Sequence, residues 1–216
     1  MLTALSLAAA ACQPPAEPPP APPVIEISSA PPTTAANAAR REGERREVAR
    51  HYRIDPEASQ IAFVGAKSTG THRGIFEVSE GSLTLGPKRR VERLSVEVDT
   101  TKLIIEPSKL ALHLKSADFL EVARYPKASF EAVTVERVPE NEGAYAVTGD
   151  LTLHGHTERV TFPATVVFAA RAVSAVASFT IDRQRYGVSY PGLAHDLIRD
   201  EVALDITLRF VRRISW

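Results

Sequence analysis

The chain has 216 residues with 26 Lys and Arg against 26 Asp and Glu, a formal net charge of zero. That balance argues against a nucleic-acid binder, which carries a basic excess. No run of eighteen or more apolar residues occurs, so no spanning helix is expected, and the single cysteine rules out an intramolecular disulfide.

The first element is a leader, residues 1–12. Leu2–Ala11 is a short apolar run of signal-peptide size, with small residues directly before Cys12. This resembles a bacterial lipoprotein signal, in which cleavage before the cysteine leaves a thiol that carries a diacylglyceryl group. No Lys or Arg precedes the run, and Ala9 stands where leucine is usual. Residues 13–47 read as a disordered Pro/Ala-rich linker. Nine of the sixteen prolines fall between Gln13 and Thr34, and Val24, Ile25 and Ile27 are almost its only large apolar residues. Such a stretch buries too little surface to offset its ordering entropy. It suits a spacer between a lipid anchor and a folded domain, which occupies residues 48–216.

From Val48 the chain reads as strands. Ile61 and Phe63 alternate with Ala62 and Val64. Thr71–Leu85 holds two strand-like halves, with Gly74 and Gly81 at bends or bulges. Leu94, Val96 and Val98 show period two. Pro107 fits a first helical position, with Leu110 and Leu114 one turn apart. At His113–Phe130 a helix signal runs into a strand signal. Asp118 can cap a helix, Glu121 completes a capping box, and Pro126 ends it. Alternation then resumes through Tyr145–Leu153, Val160–Phe168, Val173–Ile181 and Val202–Phe210. Asn141–Gly143 and His154–His156 look like hairpin connections. The order is about four strands, a helical insert, and about five strands. Antiparallel strands with alternating inward residues argue a sandwich or a barrel. Small inward positions (Gly149, Ala164, Ala175, Ala177) leave room for one ligand inside a barrel.

Several segments, in order, resemble one family. They are Tyr52-Arg-Ile-Asp55 with Ser59 and Phe63, Gly74-Ile-Phe76 with Gly81, and Leu112–Phe119. They continue through Tyr125-Pro-Lys-Ala-Ser-Phe130, Gly149–Gly155, Phe179–Arg183 with Tyr186-Gly187, and Leu197–Val202. Across about Tyr52 to Phe210 the chain resembles the YceI-like family of bacterial periplasmic proteins. The resemblance implies an all-β fold with a short helical insert. More closely, it implies a lipocalin-like antiparallel barrel of about eight strands capped by helix, often paired as a homodimer. It also implies a binder of polyisoprenoid chains, such as isoprenoid quinones or polyprenyl phosphates. The expected place is the bacterial envelope, exported and periplasmic, with a membrane anchor at Cys12. The competing reading is an envelope stress or interaction module that uses the barrel as an empty scaffold.

On this pattern the candidate cavity-lining residues are Ile61, Phe63, Phe76, Leu94, Phe119, Phe130, Leu151 and Phe179; their plain alternative is core packing. Arg183 is the candidate head-group contact, because a guanidinium forks onto phosphate oxygens. As a surface pair with Asp200 it would contribute only about 0–1 kcal/mol. His72, His113, His154, His156 and His195 raise a metal site, but spacing assembles too few ligands for zinc, and none is expected. No nucleophile elbow, phosphate loop or dinucleotide fingerprint occurs, so neither an enzyme nor a catalytic cofactor is expected.

Overall fold

The computed structural model describes residues 49–139 and 141–212. The leader, Cys12 and the linker lie outside the described residues. Among the described residues, eleven strands and one α-helix follow in order. They are β1 (Arg50–Ile54), β2 (Gln60–Lys67), β3 (Gly70–Leu85), β4 (Val91–Asp99), β5 (Ile104–Ile105), α1 (Ser108–Lys115), β6 (Lys127–Arg137) and β7 (Ala144–Leu153). Then come β8 (His156–Phe168), β9 (Ala172–Asp182), β10 (Gly192–Leu193) and β11 (Asp196–Arg212).

Eight long strands pair antiparallel in the order β2-β3-β4-β6-β7-β8-β9-β11, and β11 returns to β2, closing a barrel. β1 continues the position of β2 beyond a 3₁₀ turn at Pro56–Ala58, pairing with both β3 and β11. The two-residue strands β5 and β10 pair with β3 and β11 beside the helix-capped end. The closing seam shows how the period-two pattern becomes a wall. Ile181 faces Val202, Phe179 faces Leu204, Ala177 faces Ile206 and Val173 faces Phe210. Residues of one parity stand on the inner face and the other parity meets water.

A buried apolar cluster forms the end of the barrel opposite the helix, where Tyr52, Ile54, Leu83, Leu85, Val96, Leu208 and Phe210 pack together. A second cluster, Val147, Phe162 and Ala164, sits higher on β7 and β8.

Several local expectations change. Thr71–Leu85 is one continuous strand, and its register shifts against β4 fall between Val78 and Glu80 and between Thr84 and Leu85, not at a glycine. Gly74 instead lies beneath the Phe63 ring, where a Cβ would come within 2.4 Å of ring carbons. Gly149 does not open space either, because the Phe130 ring occupies it, 2.4 Å from where a Cβ would stand. Pro107 precedes the helix, whose first residue is Ser108. No helix starts at Asp118. Glu121 adopts φ +43°, and the chain after α1 runs through turns. Ser116 takes the capping role: its Oγ donates to the His113 carbonyl at 2.8 Å and accepts from the Asp118 N–H at 3.3 Å. The His154–Gly155 connection is a two-residue hairpin with φ +51° and +77°, the type I′ pattern.

Candidate ligand cavity

The buried cluster opposite the helix opens into a hollow, which Leu83, Leu85, Val96, Leu208 and Phe210 also line. The inner chamber has a volume of about 150 Å³, and every lining residue except Ser129 is aliphatic or aromatic. Ala164, Ala175 and Ala177 leave the space, and Phe130, Phe162 and Phe179 shape one wall. Phe162 and Phe179 stack with centroids 4.2 Å apart and planes 2° from parallel, with Phe130 tilted against Phe162 at 5.5 Å.

A second space of about 370 Å³ lies toward the helix, a vestibule that shares Phe76, Leu153, Ile181 and Leu204 with the chamber. The Phe63 and Phe76 rings, 5.2 Å apart, stand where the two meet. Leu110 and Leu114 of α1, with Phe119 and Leu120 beyond it, form the cap. Phe119 is buried and points inward, in an aromatic triad with His113 and Tyr190 whose three centroid separations are each 5.0 Å. The cap is tied to the barrel through backbone and side chains. The Thr100 hydroxyl donates to the Tyr125 carbonyl at 2.8 Å, and Glu121 lies 3.8 Å from His154 Nε2. Tyr125 stacks edge-on against His154 at 4.8 Å.

All eight residues singled out from the pattern line this cavity. Ile61, Leu94, Phe130, Leu151 and Phe179 border the chamber, Phe63 and Phe119 the vestibule, and Phe76 both. Others were equally open to the same logic: Leu204, Ile206 and Leu208 belong to the most regular alternation in the chain. Lys67, Tyr190 and Asp196 also border the vestibule, but they sit at strand ends and turns where no periodicity marks them.

Polar groups gather only at the vestibule. Asp196 accepts hydrogen bonds from Lys67, from the Thr69 N–H at 3.1 Å and from the Thr69 hydroxyl at 2.9 Å. Lys67 first, and then Thr69, hold its carboxyl below the usual carboxylate range. Arg183, the candidate head-group contact, borders the vestibule and is engaged chiefly by the protein itself. Its buried guanidinium donates to the carbonyls of Val188 at 2.6 Å, Arg199 at 3.1 Å and Ile198 at 3.4 Å, and to Asp200 Oδ1 at 2.9 Å. Four of its five N–H groups are thereby committed to the protein itself. Nor is it a surface pair, since only the Asp200 partner is exposed.

His154 and His156 flank the hairpin turn, their rings stacked at 6.2 Å, with the His154 Nδ1 3.1 Å from the Tyr186 carbonyl. The nearby Tyr186 hydroxyl is buried without a partner, and burial first, then Glu158, pushes it up to about 12 despite Arg185. No group of three or more His, Cys, Asp or Glu able to hold a metal occurs among the described residues.

Comparison with known proteins agrees with this architecture. The chain is 31% identical over 169 residues to a UPF0312 protein of Pseudomonas putida, covering 73% of this chain and 86% of that one. It is 34% identical over 125 residues to Protein YceI of Escherichia coli, covering 56% of this chain and 63% of the relative. In structure it is similar to BcnA of Burkholderia cenocepacia (TM-score 0.62, 21% identity), over 72% of this chain and 98% of that one. It is also similar to a polyisoprenoid-binding domain of Saccharophagus degradans (TM-score 0.61, 17% identity), over 75% and 98%. The family model described as the YceI-like domain matches residues 52–210, nearly all of the barrel, so the chain belongs to the YceI-like family.

Proposed function

We propose that this protein binds and carries a long apolar isoprenoid lipid, tail in the chamber and head in the vestibule. The observation that carries this reading is the chamber itself: a hollow of about 150 Å³ with almost wholly apolar walls, joined to a vestibule beneath a helical cap. A space of that size and lining stays dry and favours an apolar guest. Transfer of each buried methylene from water contributes about 0.8 kcal/mol, or about 4 kcal/mol per five-carbon unit, before the cost of ordering the chain. The polyisoprenoid binding ascribed to the Saccharophagus degradans domain supports the same ligand class here.

The protein works as a binder rather than an enzyme, without a catalytic cofactor. It acts in the bacterial cell envelope, exported and held by lipid at Cys12, with the Pro/Ala-rich stretch as spacer. This location rests on the signal-like leader alone.

The test is organic extraction of the purified protein followed by mass spectrometry, and binding of a labelled isoprenoid to the delipidated protein. Ala177→Trp fills the chamber from β9. It is expected to weaken isoprenoid binding at least tenfold while leaving the thermal midpoint unchanged or higher. Extracts free of prenyl lipid, together with a delipidated protein that takes up none, would remove this reading. Unchanged binding by the filled barrel would instead place the ligand elsewhere.

A further inference from the structure

The vestibule contains both charged and uncharged polar groups, and they differ in what they are free to do. Its basic side chains other than histidine are Lys67, Arg183 and Arg199. Lys67 is paired with Asp196, whose second oxygen is taken by Thr69. Arg183 is committed to three backbone carbonyls and Asp200. Arg199 is exposed to solvent at the rim. His113 lies 3.4 Å from Asp118 and packs its ring on Phe119 and Tyr190. Among the described residues, then, the one vestibule guanidinium or ammonium without a protein partner is that of Arg199, at the exposed rim.

Two groups are free. His72 has the inward parity of β3: its neighbour Arg73 meets Asp205 on the outer wall at 2.9 Å, whereas His72 lines the vestibule. Its ring nitrogens have no partner among the described residues. Neither has the hydroxyl of Tyr190, whose ring is held by His113 and Phe119. An imidazole and a phenol offer single, directed hydrogen bonds, and both can donate to a carbonyl or hydroxyl oxygen. A phosphate or diphosphate drawn past the Arg199 rim to these two groups would lose hydration and find there only guanidinium and ammonium groups already committed to the protein.

From this we infer that the isoprenoid taken by this barrel carries an uncharged, oxygen-bearing head, a carbonyl or hydroxyl group, received by His72 and Tyr190. The inference rests on the proposed isoprenoid binding and specifies its ligand.

The experiment compares ligands with one and the same isoprenoid tail on the delipidated full chain: an isoprenyl alcohol, a prenylated quinone, the isoprenyl monophosphate and the headless hydrocarbon. The alcohol, the quinone or both should bind at least tenfold tighter than the phosphate. His72→Leu and Tyr190→Phe should each weaken the uncharged-head ligands about threefold to tenfold, the range set by one neutral hydrogen bond. Neither variant should alter binding of the hydrocarbon, which separates a lost head contact from a damaged fold. Phosphate binding equal to or tighter than that of the alcohol and quinone, and reduced by Arg199→Gln, overturns the inference while the isoprenoid reading stands. Failure of every tailed ligand to bind overturns both.

Discussion

Arg183 was marked in the sequence by its charge, as a head-group contact or as a surface pair with Asp200. The structure turns it inward, because three carbonyls freed where β11 bulges and the Arg183–Tyr186 turn ends need donors. A lysine lacks the planar fork, and its three N–H groups are one short of the three carbonyls and Asp200 together. Arg183→Lys is therefore expected to lower the unfolding free energy by about 2–4 kcal/mol, read by urea denaturation. Gly149 is a second residue whose role was hidden. Its small size was visible, but not that Phe130 and the Glu131 carbonyl close over it, the latter 2.5 Å from a built Cβ. Gly149→Ala should cost about 1–3 kcal/mol by the same measurement, because backbone must shift to admit one methyl group. Seven of the eight lining residues, by contrast, were legible from strand parity, which decides the face on which a side chain stands, and Phe119 was marked by the apolar turn between helix and strand.

At the scale of elements, the strands were legible and the cap only in part. Val202, Leu204, Ile206, Leu208 and Phe210 could be read as one inner face without any partner strand. The segment after α1 could not. Asp118 and Glu121 carry a capping box, yet Ser116 competes successfully for the same backbone groups, and the side chains of Asp118 and Glu121 turn to His113 and His154. The turn between β2 and β3 and the β10–β11 hairpin meet at Asp196, and the Ser68 N–H donates to the Leu197 carbonyl at 3.0 Å. Because Asp196 is held below its ordinary value, its contribution is complete above about pH 4 and is lost as pH falls through the lowered value. Acid should loosen this corner before the rest of the wall. Amide exchange, corrected for the intrinsic pH dependence of the rate, should show protection at Ser68 and Ile198 falling first below about pH 4. Asp196→Asn should reproduce that loss at neutral pH.

For the whole molecule, the class was legible but the closure was not. Alternating strands allow a sandwich as readily as a barrel, and the choice depends on the register between β9 and β11 and between β11 and β2. Those pairings join residues far apart in sequence, and no local pattern records them. The family resemblance, carried by segments from Tyr52 to Val202, supplied what periodicity could not. The balance of small and large inward residues then decides where the barrel is closed and where it is hollow. Phe210 and Leu85 close one end of the chamber, while Ala164, Ala175 and Ala177 clear the middle.

Ring closure also has a kinetic consequence. Each long strand is hydrogen-bonded to a neighbour on both sides, although β8 meets β9 only at Ala164–Phe168 and β4 meets β6 only at Ser95–Asp99. Where the ladders run, a guest cannot pass without breaking them. The cap's fastening to the wall includes the single hydroxyl bond from Thr100 to the Tyr125 carbonyl. Opening that latch is expected to set how fast a guest enters and leaves, while the chamber sets its affinity. Thr100→Val is expected to raise the entry and exit rates of an isoprenoid together in stopped-flow measurements, by about threefold or more, with little change in their ratio.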